Sequence, residues 1–174
     1  MKKDKKVLEI LKKYKSSFSI EDQSFVEEII EENLYENDIS FELFTDGACE
    51  FDNEHKPINA GIGGLIKKNG EVLSSFSSNV GVKTNNEAEY LALIEGLKQC
   101  LQNDIQSINI FLDSELVVKQ VNGDYKVKNE RMAILHNEAI DFLRKFEKFN
   151  VSHIYREKNI EADKLSKEAL SNKN

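Results

Sequence analysis

Asn69-Gly70 stands between two apolar runs, "AGIGGLI" (60–66) and "EVLSSFSSNV" (71–80). A two-residue Asn-Gly link favours positive backbone angles, and the turn it makes carries the twist of paired antiparallel strands. The two runs therefore read as a hairpin. Upstream, "ISFELFTDG" alternates apolar and polar residues and reads as a first strand that stops at Gly47. Three consecutive antiparallel strands are then followed by "NNEAEYLALIEGLKQCL", where Tyr90, Leu93, Ile94, Leu97 and Leu101 recur at helical spacing behind an asparagine cap. "SINIFLD" (107–113) reads as a fourth strand with Ile108, Ile110 and Leu112 on one face. A short helix over "SELVVKQV" stops at Asn122-Gly123, and a longer one turns Met132, Leu135, Ala139, Phe142 and Phe146 inward. "NVSHIYRE" (150–157) reads as a fifth strand and "IEADKLSKEALS" as a last helix. The order βββαβ, helices, βα requires an α/β fold, a mixed sheet with helices packed against it.

The first 37 residues differ in character. Val7, Ile10, Leu11 and Tyr14, and then Phe25, Val26, Ile29, Ile30 and Leu34, give two helical stripes separated by "SFSIED", a helical hairpin. Glycines occur only from Gly47 to Gly123, so the expected division is a helical N-terminal extension over 1–37 and a main domain over 38–174.

Composition narrows the function classes. With 40% apolar residues among 174, the chain can bury a core of ordinary size. The longest apolar runs fall short of a membrane span, and lysines interrupt "MKKDKKVLEILKKYK" where a signal peptide would be apolar. No membrane contact and a cytoplasmic location are the expectation. A net charge of −7 argues against coating nucleic acid through bulk positive potential, although "KVKNER" (126–131), "IKKNG" (66–70) and Lys83 are locally basic. Cys49 and Cys100 have no Cys or His at ligand spacing and read as reduced structural thiols.

Acidic residues supply the chemistry. Asp46 and Asp113 each end an apolar strand, and parallel neighbours would bring both to adjacent carboxyl ends, the edge where open α/β sheets hold ligands. Glu89 and Asp163 lie in first helical turns, three residues after Asn86 and four after Asn159. A capping box with Asn86 accounts for Glu89 without any function. Carboxylates held about 4 Å apart repel by about 4 kcal/mol per pair at an effective dielectric near 20, so a cluster calls for a bound cation. Hard oxygen ligands suit Mg²⁺, with Mn²⁺ as substitute.

"FTDGA", "TNNEAEYLALIEGL", "FLDSELVVKQVNG" and "REKNIEADKLS", collinear over residues 39 to about 171, resemble the motifs of the type 1 ribonuclease H family, especially its shorter archaeal and bacterial members. That resemblance implies a five-stranded mixed sheet, three antiparallel strands and then two parallel ones. It further implies Mg²⁺-dependent hydrolysis of the RNA strand of RNA/DNA hybrids. Asp46, Glu89, Asp113 and Asp163 would be the catalytic, metal-binding acids. Glu87 competes with Glu89, but the family's glutamate follows the second asparagine by three positions. Two cations would flank the scissile phosphate in an in-line displacement leaving 5′-phosphate and 3′-hydroxyl ends. Gly47 and Ala48 would leave the backbone open to the ribose 2′-hydroxyl. Thr84, Asn85, Asn86 and Ser114 would contact the hybrid, and Arg156 a phosphate.

Departures from the family pattern are also legible. No Trp is present and the stretch from Asn122 to Arg131 is brief, so the protrusion some relatives use to grip substrate is missing and "KVKNER" is the remaining candidate for backbone contacts. His153, in a strand pattern with Val151 and Tyr155, reads as a packed strand residue. The N-terminal helices, acidic in their second half, are unlike the hybrid-binding module of eukaryotic relatives and point to a protein partner or dimer contact through residues 1–37. The rival to the nuclease reading is a catalytically silent ribonuclease H-like binding or scaffold domain, which would have no reason to keep four clustered acids.

Overall fold

A computed structural model of the chain describes residues 7, 10–38 and 40–171, with the side chains of 31–38 excepted. Its internal contacts separate two units, Met1–Ser40 and Phe41–Asn174. In the first, residues 10–14 are helical, a 3₁₀ turn spans Lys15–Ser17, and helix α1 runs Ile20–Asp38. Ser19 Oγ accepts from the Asp22 backbone N–H at the start of α1, and Lys15 pairs with Glu27. Of the two expected stripes, Val26 and Ile30 are buried, whereas Val7, Ile10, Tyr14 and Phe25 are exposed. The side chain of Leu34, and residues 1–6 of the expected first helix, lie outside the described residues.

The second unit is built on strands β1 (Phe41–Phe51), β2 (Pro57–Lys68), β3 (Glu71–Gly81), β4 (Ser107–Leu112) and β5 (Lys148–His153), ordered β3-β2-β1-β4-β5. β1, β2 and β3 pair antiparallel, and β4 is parallel to both β1 and β5. Helices α2 (Asn85–Gln102), α3 (Glu115–Val121), α4 (Glu130–Leu143) and α5 (Ile160–Ser171) complete it. The Asn69-Gly70 link has φ of 53° and 85°, the doubly positive geometry that the pair favours.

The principal core joins Leu43, Ile66, Ile108, Ile110 and Leu112 of the sheet to Tyr90, Leu93 and Leu97 of α2 and to Ala139 and Leu143 of α4. α5 lies on β2, pressed against backbone at Gly61 and Gly63, where an added Cβ would come within 2.3 Å and 2.2 Å of Ser166.

Three local expectations are corrected. β1 does not stop at Gly47; it continues to Phe51 because β2 supplies a partner for every residue as far as Glu50. Only its pairing with β4 stops, at Thr45 opposite Leu112. β5 covers 148–153 rather than 150–157, since the Ile154 N–H donates to Leu112 O and the chain then turns through Arg156–Lys158. His153 is consequently the last strand residue, exposed and edge-on to Tyr155, not packed in the strand.

Candidate metal centre

Asp46 is the first β1 residue past the end of β4, so its carboxylate stands where the sheet opens between two parallel strands. Asp113 follows the last residue of β4 directly. Both therefore reach the same gap, and α2 brings the third acid to it. The cap of α2 is Thr84, not an asparagine: the Glu87 N–H donates to Thr84 Oγ1, and Glu87 Oε2 accepts from the Thr84 N–H at 2.9 Å and from its hydroxyl at 2.7 Å. This reciprocal cap consumes Glu87, whose pKa the Thr84 hydroxyl holds below its ordinary value. Glu89, half a turn further on, is left to face the sheet.

What seats Glu89 is Gly47. A Cβ at Gly47 would lie 2.3 Å from the Glu89 backbone N and 2.4 Å from the Ala88 carbonyl carbon, so α2 rests on the strand with no side chain between them. The Gly47 N–H is the backbone donor to the Glu89 carboxylate. Gly47 is buried and Ala48 half-buried. The missing side chain thus makes room for a helix, which corrects the expectation that it leaves the strand open.

Asp46, Glu89 and Asp113 each offer an oxygen, and these atoms all lie within 4.8 Å of one another. Asp46 is only 3% exposed and Glu89 5%. Burial, followed by the charges of Asp113 and Asp163, pushes the Asp46 carboxyl up to about 6 against the pull of a Ser166 hydrogen bond. Burial first, and then Asp46 and Asp113, raise Glu89 well above the carboxylate range. Glu89 Oε2 is buried without a hydrogen-bond partner. Mutually repelling hard oxygen donors, two of them buried and Asp113 half-buried, with one orphaned atom fit a divalent cation of the Mg²⁺ type.

Asp163 does not join that group. Its Oδ1 accepts from Arg156 Nε at 3.0 Å and also from Nη2, and its Oδ2 accepts from Lys167 Nζ at 2.6 Å. Partial burial works to raise its pKa, but the hydrogen bonds from Lys167 and Arg156 outweigh it and hold the carboxyl below its ordinary value. The Arg156 charge also acts on Asp46 and Glu89, so the guanidinium serves as a counter-ion at the edge of the cluster.

The other residues singled out in the sequence surround this edge. Asn85 and Asn86 are exposed at the start of α2, and Ser114 is the N-cap residue of α3 without a side-chain cap bond. A cavity of about 420 Å³ brings Thr84 and Asn86 together with Lys126, Lys128, Asn129 and Arg131, so the basic segment lies beside the α2 cap. Two residues were missed. Asn159, 1% exposed, donates to Thr45 O at 2.9 Å and to Asp113 Oδ1 at 3.3 Å; Ser166, fully buried, donates to Asp46 Oδ2. Neither bond has a signal within its own segment.

A family model described as reverse transcriptase-like matches residues 44–169. A bifunctional protein of Mycobacterium tuberculosis is 32% identical over 116 residues, 66% of this chain and 32% of the relative. The matched region thus spans about a third of that relative's length. Among solved structures, the RNase H1 of the halophilic archaeon Halobacterium salinarum superposes with a TM-score of 0.72 at 28% identity, covering 77% of this chain and 99% of that one. LC11-RNase H1, isolated from compost by a metagenomic approach and solved in complex with an RNA/DNA hybrid, gives 0.69 at 33% identity, covering 76% and 97%.

Proposed function

Since the chain belongs to the type 1 ribonuclease H family, we propose that it hydrolyses the RNA strand of RNA/DNA hybrids, with Mg²⁺, or Mn²⁺ in its place, held by Asp46, Glu89 and Asp113. The observation that carries this reading is the convergence of two nearly inaccessible carboxylates and a third within 4.8 Å, an arrangement whose mutual repulsion a bound cation would relieve. Bound there, divalent cations would supply an activated water and charge stabilisation for the departing 3′ oxygen, the in-line chemistry that leaves 5′-phosphate and 3′-hydroxyl ends.

The chain's own residues do the placing. α2 holds Glu89 against β1, Asp46 and Asp113 close the gap from two strands, and Gly47 fixes the Glu89 carboxylate through its N–H. Arg156, its side chain 65% exposed, turns to a substrate phosphate and thereby releases Asp163 toward Asp46 as the fourth acid. Thr84, Asn85, Asn86 and Ser114 contact the hybrid, half-buried Ala48 presents backbone to the ribose 2′-hydroxyl, and Lys126, Lys128 and Arg131 meet the nucleic-acid backbone. Among the described residues no helix is long and apolar enough to cross a membrane, and the reaction is assigned to the cytoplasm. The N-terminal residues, with Ile20 and Phe25 exposed on an acidic helix, are assigned to a protein contact.

One observation favours the silent-domain alternative: Asp163 is committed to two cations of the chain itself. A labelled RNA/DNA hybrid incubated with wild type and Asp113→Asn, in Mg²⁺, Mn²⁺ or EDTA, separates the two. Cleavage by wild type with metal only, abolished in the variant, is expected. Absence of cleavage by wild type under either metal, or equal cleavage by both proteins, would overturn the nuclease reading.

A further inference from the structure

We propose that Ser166 is a positioning residue of the metal centre: from α5, one turn beyond Asp163, it grips one oxygen of Asp46 and fixes the orientation in which that carboxylate joins Glu89 and Asp113. Ser166 is 0% exposed, and its hydroxyl has two acceptors in reach, Asp46 Oδ2 and, at 2.9 Å, the Asp163 carbonyl. A hydroxyl has one proton to give. The carboxylate is the stronger acceptor and the closer one, so the proton goes to Asp46.

A serine can span the distance only because of what lies beneath it. Gly63 is the cross-strand partner of Asp46, and a Cβ on Gly63 would come 2.2 Å from Ser166 N and 2.7 Å from Leu165 Cβ. α5 therefore sits on the backbone of β2, low enough for a one-carbon side chain to reach the neighbouring strand. Gly63, Ser166 and Asp46 form one geometric unit.

The hydroxyl is not what holds the helix down. β2 and β3 pin α5 independently: Ser77 Oγ donates to Leu165 O at 2.7 Å, Asn79 Nδ2 to Ala169 O at 3.2 Å, and Asn59 Nδ2 to Leu170 O at 3.2 Å. With those anchors in place, the remaining consequence of the Ser166 bond is the aim of the carboxylate. Ligating carboxylates are themselves commonly held by hydrogen bonds, and removing such a partner lowers metal affinity by about 10- to 100-fold.

The proposal rests on the metal-centre reading above, and the test separates the two. Binding of Mn²⁺ alone to the full chain is measured by calorimetry for wild type, Ser166→Ala and Ser77→Ala, alongside thermal unfolding in EDTA and the Mg²⁺ dependence of hybrid cleavage. Ser166→Ala is expected to bind Mn²⁺ about tenfold more weakly or worse. It should need correspondingly more Mg²⁺ for half-maximal cleavage, recover at saturating metal, and unfold near the wild-type temperature. Ser77→Ala, which loosens an anchor without touching a carboxylate, is expected to keep wild-type affinity. Unchanged affinity in Ser166→Ala, an equal loss in Ser77→Ala, or failure of Ser166→Ala to fold would each overturn the positioning role. No Mn²⁺ binding by wild type would instead overturn the metal centre itself.

Discussion

Gly47→Ala is the substitution whose effect follows most directly from the geometry. The added Cβ would stand 2.3 Å from the Glu89 N and 2.4 Å from the Ala88 carbonyl carbon, where ordinary contact begins at 3.4 Å. Both obstacles are helix backbone, so no rotamer change relieves them, and α2 must withdraw by about 1 Å along its contact with β1. Overpacking of this kind costs about 1–3 kcal/mol, and rigid obstacles place Gly47→Ala near the upper figure. For a chain of this size that is a fall in Tm of about 6–12 °C. The same withdrawal carries Glu89 away from Asp46 and Asp113, and a displacement of about 1 Å at a reacting centre lowers turnover by about 100-fold. Urea unfolding and hybrid cleavage at saturating Mg²⁺ measure the two effects on one preparation. Wild-type stability in Gly47→Ala would refute the seating of α2 on β1. Lost stability with intact turnover would break the link between that seating and the position of Glu89.

Two further outcomes follow from the buried polar groups. Because the folded-state pKa of Asp46 is raised from 3.8 to about 6, the folded chain binds protons more tightly than the unfolded one, and this group makes metal-free stability fall as pH rises through that window. Mg²⁺ competes with those protons, so the Tm gained on adding Mg²⁺ should grow from about pH 5 to about pH 7; a larger gain at the acid end would contradict the assignment. Tyr90, in the core, donates its hydroxyl to Gln120 Oε1 at 3.0 Å. Tyr90→Phe leaves that buried oxygen unpaired, so urea unfolding should show a loss of about 1–3 kcal/mol while the Mg²⁺ dependence of cleavage stays put.

Short-range features of the fold were legible in the chain. Asn69-Gly70 dictates its hairpin through backbone angles alone, and the β4 pattern of Ile108, Ile110 and Leu112 fits a strand buried on one face. The cap of α2 was locally legible too: Thr84-Asn85-Asn86-Glu87 is a capping box, and overlooking it left Glu87 and Glu89 as rivals when the cap alone separates them. Gly47 misled for a different reason. A glycine after an apolar run signals a strand end, yet here it admits Ala88 and Glu89 of a helix far downstream, and the strand continues because β2 pairs with it. The pairing of Asp163 with Lys167, four residues on along α5, was readable at helical spacing, whereas its bond to Arg156 depends on the turn before α5. The Ser166 contact joins residues 120 apart and depends on a glycine in a third segment, so no local pattern could announce it.

The claim underlying the rest is that Asp46, Glu89 and Asp113 share a divalent cation. Anomalous scattering from crystals soaked in Mn²⁺ near pH 7.5 tests it without reference to activity. A peak bonded to oxygens of all three residues is the predicted result. A cluster with no peak, its charge met instead by the Arg156 guanidinium, would contradict the account.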